Sequence, residues 1–542
     1  MKAHCLPFSQ IPHTTRLFSD YLAYSPEVQQ FYPRSPYFAE WLKDESAHID
    51  YPADRRGRVA EILERQNRSW NASEKTFANI ERLRHGAAAI VTGQQVGLFG
   101  GPMFSIYKAL SAVKLAEEAM RAGVETVPVF WLATYDHDLA EVNHVGLPTA
   151  DGRLQTITTS SHGRSGAPVS SVLLNDEIAV AIEQAANLLG DVEATHLLRE
   201  SYRPGESLGT AFARLYASVF RDYGVIVLDA SDAELHRIAK PIYVSAVKRA
   251  GEIAEELLAR GRALEAAGYH QQVKVTESSV LLFTMHDGAR TAIHRRVESD
   301  VAEFVIGGED APERISQAEL VRRVDSAAEH FSPNVLLRPV IEDYLLPTLA
   351  YTGGAAEAAY FAQAGVVYRI LLGRITPVLP RYSATIVEPK MQRLLERYQF
   401  TVLDVFGDFE SLRQKLASHS LPEDLLQAFD EASKSLEANL SRIKEKLSKL
   451  DRTLVDAAET ARSKMEHQME KLHSQAARAE AQKGELLTRH AETLINALYP
   501  EKGLQERSVG GIYFLARYGR ELLDQIYQSI HTDCHDHQVL EL

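Results

Sequence analysis

Two apolar runs, 87–91 (AAAIV) and 127–134 (VPVFWLAT), carry no polar face and read as strands buried on both sides. Between them Ile106, Leu110, Val113 and Ala116 recur at helical spacing, which predicts a helix over 103–121. Strand, helix and strand in that order form a β-α-β unit of a parallel sheet with right-handed crossovers. The theme returns with a helix over 208–220, a strand over 225–228 ending at Asp229, and one long helix over 232–266. VLLFTMHDGARTAIHRR (280–296) reads as a hairpin turning at Asp287-Gly288. ITPVLPRYSATIVE closes the α/β part near residue 390. Residues 1–85 pattern as a helical segment packing on this core. Two stretches, about 148–205 and 268–330, break the α/β rhythm and read as insertions, the first as short strands and turns.

Beyond 390 the period changes. Leu436, Leu440, Ile443, Leu447, Leu450 and Leu454 alternate steps of four and three, and Ala461, Met465, Met469, Leu472, Ala476 and Ala479 resume the series. That is a heptad seam. A break at KLDRTL, with Asp451 as an N-cap, predicts an antiparallel helical hairpin. The division expected is 1–85, a core over 86–390, a coiled-coil domain over 391–500, and a segment 501–542 returning to the core. So apolar a seam must be covered, by the hairpin or by another protomer, so a homodimer through the coiled coil is expected.

Composition narrows the function classes. The 542 residues are 45% hydrophobic and 24% charged with a net charge of −14, which disfavours nucleic acid and anionic membranes as partners. No run is apolar enough to span a bilayer, and the N-terminus lacks a secretory h-region. Two cysteines, Cys5 and Cys534, make neither a disulfide framework nor a zinc site. The expected location is cytoplasmic.

Candidate chemistry falls at predicted strand ends, where open α/β sheets bind ligands. After the first strand come Thr92, Gly93, Gln94, Gln95, Gly97, Gly100 and Gly101, then Pro102 at a helix start, Ser105 and Lys108. Glycines permit close backbone approach, and the helix N-terminus would offer N–H groups to an anion. Packing of a tight turn is the bland alternative. After the second strand, TYDHDLAEVNHV gathers Asp136, His137, Asp138, Glu141 and His144. These residues suit an ammonium or proton transfer, or they simply cap a short helix. A third group, LRPVIEDYLLPTLAYTGGAAEAAY, supplies Arg338, Tyr351, Gly353, Gly354 and Glu357, and PRYSATIVE adds Arg381 and Ser383. His531, Cys534, His535 and His537 form a metal-like cluster in the tail that reads as incidental, so no metal site is assigned.

TGQQVGLFGGPMFSIYKALSAVKLA, PVFWLATYDHDLAEVNHV, FSPNVLLRPVIEDYLLPTLAYTGGAAEAAYFAQ, PRYSATIVE and LQERSVGGIYFL together resemble the BshC family, cysteine-adding enzymes of bacillithiol biosynthesis. The resemblance runs in order over nearly the whole chain. It implies a Rossmann-like core with connecting-peptide insertions, a dimerising coiled coil, and the last pathway step, joining L-cysteine to glucosaminyl-malate. It also implies an adenine nucleotide, ATP or ADP, with Mg2+ as its companion. Thr92-Gly93-Gln94-Gln95 stands where distantly similar nucleotidyltransferases carry an H-x-G-H motif, and Arg452 stands where the family's hairpin turn has proline.

In the ligase so implied, the 93–102 turn with Ser105 and Lys108 would hold phosphate or the cysteine carboxylate. Asp136 or Asp138 would bind the cysteine ammonium, and His137 or His144 would take the proton from the glucosamine nitrogen. Arg338 and Arg381 would meet the malate carboxylates. Two other readings are a nucleotide-binding scaffold recruiting pathway enzymes through the coiled coil, and a sugar-nucleotide-handling transferase on the same core.

Overall fold

The computed structural model describes residues 2–160, 166–298, 301–307, 312–418, 421, 423–451 and 453–542; Arg452 and 161–165 of the first insertion lie outside them. At the centre is a five-stranded sheet, in spatial order Val378–Pro380, Thr348–Gly353, Ala88–Gln94, Thr126–Leu132, Ile226–Asp229. All four pairings are parallel. Numbered by their place in the chain, these strands run 5-4-1-2-3, the Rossmann-like order, whose direction of winding reverses between the first and fourth. Helices cover both faces, so the strands are apolar on both. Val127, Val129 and Trp131 face one core, while Phe130 and Leu132 face another.

The helix Met103–Arg121 has the limits its periodicity predicts, and Leu208–Val219 falls within one residue of them. The 232–266 helix is instead two, Ala233–Lys248 and Ala250–Ala266, turning at Arg249 so that the second packs on Ala355–Leu372. Periodicity continued through Arg249, but the chain turns there to reach another layer.

The first insertion is a hairpin, His144–Pro148 with Leu154–Thr158, followed by helices Glu177–Leu189 and Glu193–Ser201, rather than strands and turns alone. Ile178, Ala181, Ile182 and Ala185 bury one face of the longer helix. The second insertion is a five-stranded antiparallel sheet containing the expected hairpin, with Asp287 and Gly288 both at positive φ (50° and 78°), the type I′ signature.

The N-terminal segment is not wholly helical. Lys2–Leu6 is a strand paired antiparallel with His537–Glu541, which pairs in parallel with Ala384–Val387. Each of these strands is too short to announce itself, and the sheet joins the two ends of the chain. It also buries one of the tail histidines. His537 is fully buried, with its two ring nitrogens 2.7 and 2.9 Å from the hydroxyls of Ser383 and Thr385, and burial pushes its pKa down to about 4.

Glu423–Leu450 and Leu454–Lys483 form the predicted helical hairpin, with Asp451 accepting from the Thr453 N–H at the turn; a single continuous helix is excluded. Its base is anchored by Ala477, Leu487, Ala491 and Leu494 against Met391, Leu395 and Leu412. Further out the seam is only partly covered: Ile443 is 50% exposed and Leu450 78%. No described helix is long and apolar enough to cross a membrane.

Candidate active site

The first, second, fourth and fifth core strands all end at one cavity of about 750 Å³. It lies at the reversal of strand order, where the crossover helices diverge and leave a crevice. The Gln94 loop and the Asp136 loop therefore share one edge of the sheet and one open space. Gln95 ties them together: its side-chain amide donates to Asp136 at 2.8 Å and to Glu141 at 2.9 Å.

Of the residues singled out from sequence, Gly93, Gln94, Gln95, Lys108, Asp136, His137, Glu141, Arg338, Gly354, Glu357 and Arg381 line this cavity. Thr92, Gly97, Gly101, Ser105, Asp138, His144, Tyr351 and Gly353 do not. Thr92 is buried in the sheet, bonding the Thr352 carbonyl at 2.8 Å. Tyr351 is buried beneath Glu357 and donates to it at 2.5 Å. Gly353 packs against the same glutamate, which a Cβ there would meet at 2.8 Å. Asp138 is the N-cap of Leu139–Val142, and exposed His144 spends Nδ1 on the Ala140 carbonyl.

The glycine turn turns out to serve packing. A Cβ on Gly97 would come 2.8 Å from Gly101 Cα, and Gly100 is held by hydrogen bonds with the Tyr202 and Tyr216 hydroxyls. The N-terminus of Met103–Arg121 is already covered: Met103 N–H donates to the Val509 carbonyl at 2.8 Å, and Gly511 N–H donates to Gly101. The first N–H of that helix is thus taken by the 509–511 strap. Ser105 is buried beneath it. The helix that does open into the cavity is Ala355–Leu372, whose first residues line it beside Arg381.

Lys108 fastens these loops from below. Only 4% of its side chain is exposed, and its ammonium bonds the Gly93 carbonyl (2.7 Å), Gln94 Oε1 (2.9 Å) and Glu357 (2.7 Å). Burial lowers its pKa to about 8, with the Glu357 charge opposing that fall. Burial also pushes Glu357 upward, but Lys108, Tyr351 and the Gly354 N–H outweigh it and hold the carboxyl below its ordinary value. Behind Arg338, burial raises Glu342 to about 8 in spite of that guanidinium.

Two charged cavity residues, Arg290 and Arg507, carried no signal in the local pattern. Arg290 comes from the second insertion's hairpin; its side chain is 6% exposed, bonds Ser332 and the Pro333 carbonyl, and lies 3.6 Å from Asp136. It also lies 3.1 Å from His137 Nδ1. Arginine can only donate, so in this contact Nδ1 accepts, while Asp136 Oδ1 lies 3.5 Å from the same nitrogen. Arg507 comes from the LQERSVGG segment and has no ion-pair partner among the described residues. Its neighbours Gln505 and Glu506 bond the backbone of Ala384 and Ile386, and Glu506 pairs with Arg381 at 2.5 Å, fixing the segment over the site.

Asp136 and Glu141 line the chamber, and Arg290, Arg338, Arg381 and Arg507 reach it from separate elements, with Arg290 beside Asp136. Phe104, Tyr135, Phe283 and Tyr360 supply apolar wall. Such a chamber suits an amine and one or more carboxylates or phosphates held together.

Comparison with known proteins divides the chain in two. Residues 1–382 match the family model described as the N-terminal Rossmann-like domain of bacillithiol biosynthesis BshC, and 384–542 match that of the BshC C-terminal coiled-coil domain. The chain is 48% identical over 538 residues to a protein of Koribacter versatilis (99% of each chain) and 36% identical over 544 residues to one of Solibacter usitatus (100% of each). It is 33% identical over 551 residues to one of Salinibacter ruber (99% of this chain, 98% of the other). Each of the three is named "Putative cysteine ligase BshC".

Proposed function

The chain belongs to the BshC family of bacillithiol biosynthesis, and from that premise we propose that it is a cytoplasmic ligase joining L-cysteine to glucosaminyl-malate by an amide bond, the last step of the pathway. The observation that carries the proposal is the meeting, in one chamber at the strand-order reversal, of Asp136 and Glu141, apart from the Lys108-bound Glu357, with four arginines from four different elements. A substrate amine needs the first group. The malate carboxylates and the cysteine carboxylate need the second, since guanidinium binds carboxylate in two-point fashion.

In this reading Asp136 and Glu141 receive the ammonium or the proton it loses, with Gln95 fixing their spacing. His137 is steadied by Arg290. Arg338, Arg381 and Arg507 hold carboxylates, and Lys108 with Glu357 keeps the strand ends in register. Fixed donors and charges aimed at an oxyanion are the main source of rate.

Amide formation from a free carboxylate is uphill in water, and bound ATP supplies its activation. The chamber's chemistry fits such a group: the arginines and the opening turn of Ala355–Leu372 suit phosphate. The partly covered seam at Ile443, Leu450, Met465 and Leu472 is the homodimer contact.

Purified protein incubated with cysteine, glucosaminyl-malate and ATP is expected to yield the conjugated thiol by mass spectrometry, with AMP or ADP released in step. No product with the substrates bound would leave the scaffold reading. Turnover only with a sugar nucleotide would favour the transferase reading.

A further inference from the structure

The two cysteines are 529 positions apart in the chain, yet their Sγ atoms lie 3.0 Å apart. Both are free thiols. Cys5 sits on the strand Lys2–Leu6, opposite Gln538 in the register with His537–Glu541. Cys534 sits in the turn that leads into that second strand, its N–H donating to the His531 carbonyl. The Gln538 side-chain amide points at both sulfurs, 3.2 Å from one and 3.4 Å from the other. Two neighbouring strands and one amide thus hold the sulfurs together, and a bond of ~2.05 Å needs them to close by only about 1 Å.

We propose that Cys5 and Cys534 are a redox modification site: a low-molecular-weight disulfide oxidises the pair to an intramolecular disulfide that clasps the first strand of the chain to the last.

The exposed Cys5 is the accessible sulfur, whereas Cys534 is half-buried. Cys5 loses its proton and its thiolate attacks one sulfur of the small disulfide, forming a mixed disulfide and expelling one thiolate. Cys534 then gives up its proton, attacks Cys5 Sγ and expels the second thiolate. Both expelled thiolates take up a proton. In sum, two protein thiols and one small disulfide give one protein disulfide and two small thiols; the protein loses two hydrogens and two electrons, and the small disulfide gains them. The order of attack also follows from the thiols' surroundings: burial and the hydrogen bond with Cys5 raise the Cys534 pKa to about 11, and that bond is lost once Cys5 has reacted. Among the described residues the Lys2–Leu6 strand pairs with His537–Glu541 only, at the edge of its sheet, so the clasp fixes a strand held otherwise by one ladder and the burial of Leu6. Neither cysteine lines the chamber, and the clasp stands independently of the ligase reading.

The test exposes full-length protein to excess oxidised glutathione and follows intact mass without reductant. The wild type is expected to end two hydrogens lighter, with no adduct, and with tryptic peptides 3–16 and 521–542 linked until reduction. Cys534→Ser is expected to stop one glutathione heavier at Cys5. Cys5→Ser is expected to react about tenfold more slowly than wild type. The oxidised wild type should melt at a higher temperature than the reduced protein, and the two variants should not gain. A wild type that accumulates a stable adduct, or a Cys5→Ser variant that reacts as fast as the wild type, overturns the proposal.

Discussion

Lys108 and Glu357 offer the sharpest test of how the chamber is held together. Their ion pair is 2.7 Å long, with side chains 4% and 14% exposed. Replacing Lys108 with Met removes the cation but leaves a buried carboxylate bonded only to the Tyr351 hydroxyl and the Gly354 N–H. Breaking a buried pair on one side costs about 3–5 kcal/mol, because the remaining charge is uncompensated. Unfolding entropy is about 2.1 cal/mol/K per residue, so over the 382 residues of the Rossmann-like domain it is about 0.8 kcal/mol/K, and a 4 kcal/mol loss lowers that domain's melting temperature by about 5 °C. Glu357→Gln should fall by a similar amount. The double variant, Lys108→Met with Glu357→Gln, carries no buried charge and should recover most of the loss. The assay is differential scanning calorimetry of the four proteins in one buffer. Single variants within about 1 °C of wild type, or a double variant less stable than either single, would refute the view that this pair locks the strand ends.

Three further outcomes are expected. His144→Ala should keep turnover within about twofold, because His144 lies outside the chamber, whereas Arg290→Ala should lower kcat/KM by about 10² as it frees His137 and unpairs Asp136; steady-state kinetics of the conjugated thiol decides. His537 is neutral in the fold with a pKa of about 4 against an ordinary 6.5, so the unfolded chain binds the extra proton between those values. Stability therefore rises with pH across that window and falls by about 3 kcal/mol on acidification from 6.5 to 4; His537→Gln should flatten this limb of a melting-temperature profile. Ile443→Glu with Leu472→Glu should convert a dimer to a monomer in light scattering while leaving helix content by circular dichroism unchanged, since both side chains are about half exposed in the single chain.

Much of this was legible because local pattern and tertiary role agree. The buried strands at 88–94 and 126–132 were announced by the apolar runs 87–91 and 127–134, since helices cover both faces of a parallel sheet. The helical hairpin read equally well, because a heptad seam is periodic whether or not its partner is known. Gln94, Gln95, Asp136 and Glu141 were found by their position at strand ends, which in this topology implies a shared crevice. Where one residue type serves two purposes, pattern misled. Gly97, Gly100 and Gly101 look the same whether they cradle an anion or let two turns touch, and the touching is visible only in the fold. His144 and Asp138 carry the chemistry of a site but cap a short helix.

The sequence by itself determined the core strands, their helices, the coiled coil and one wall of the chamber, because each is written in neighbours along the chain. Tertiary structure alone decided which cations face that wall and which histidine stands there. It also brought the first and last strands of the chain together. Arg290 meets His137 across 153 positions and Cys5 meets Cys534 across 529. No local period encodes such encounters; they arise when separate apolar faces find one core and carry their polar neighbours with them.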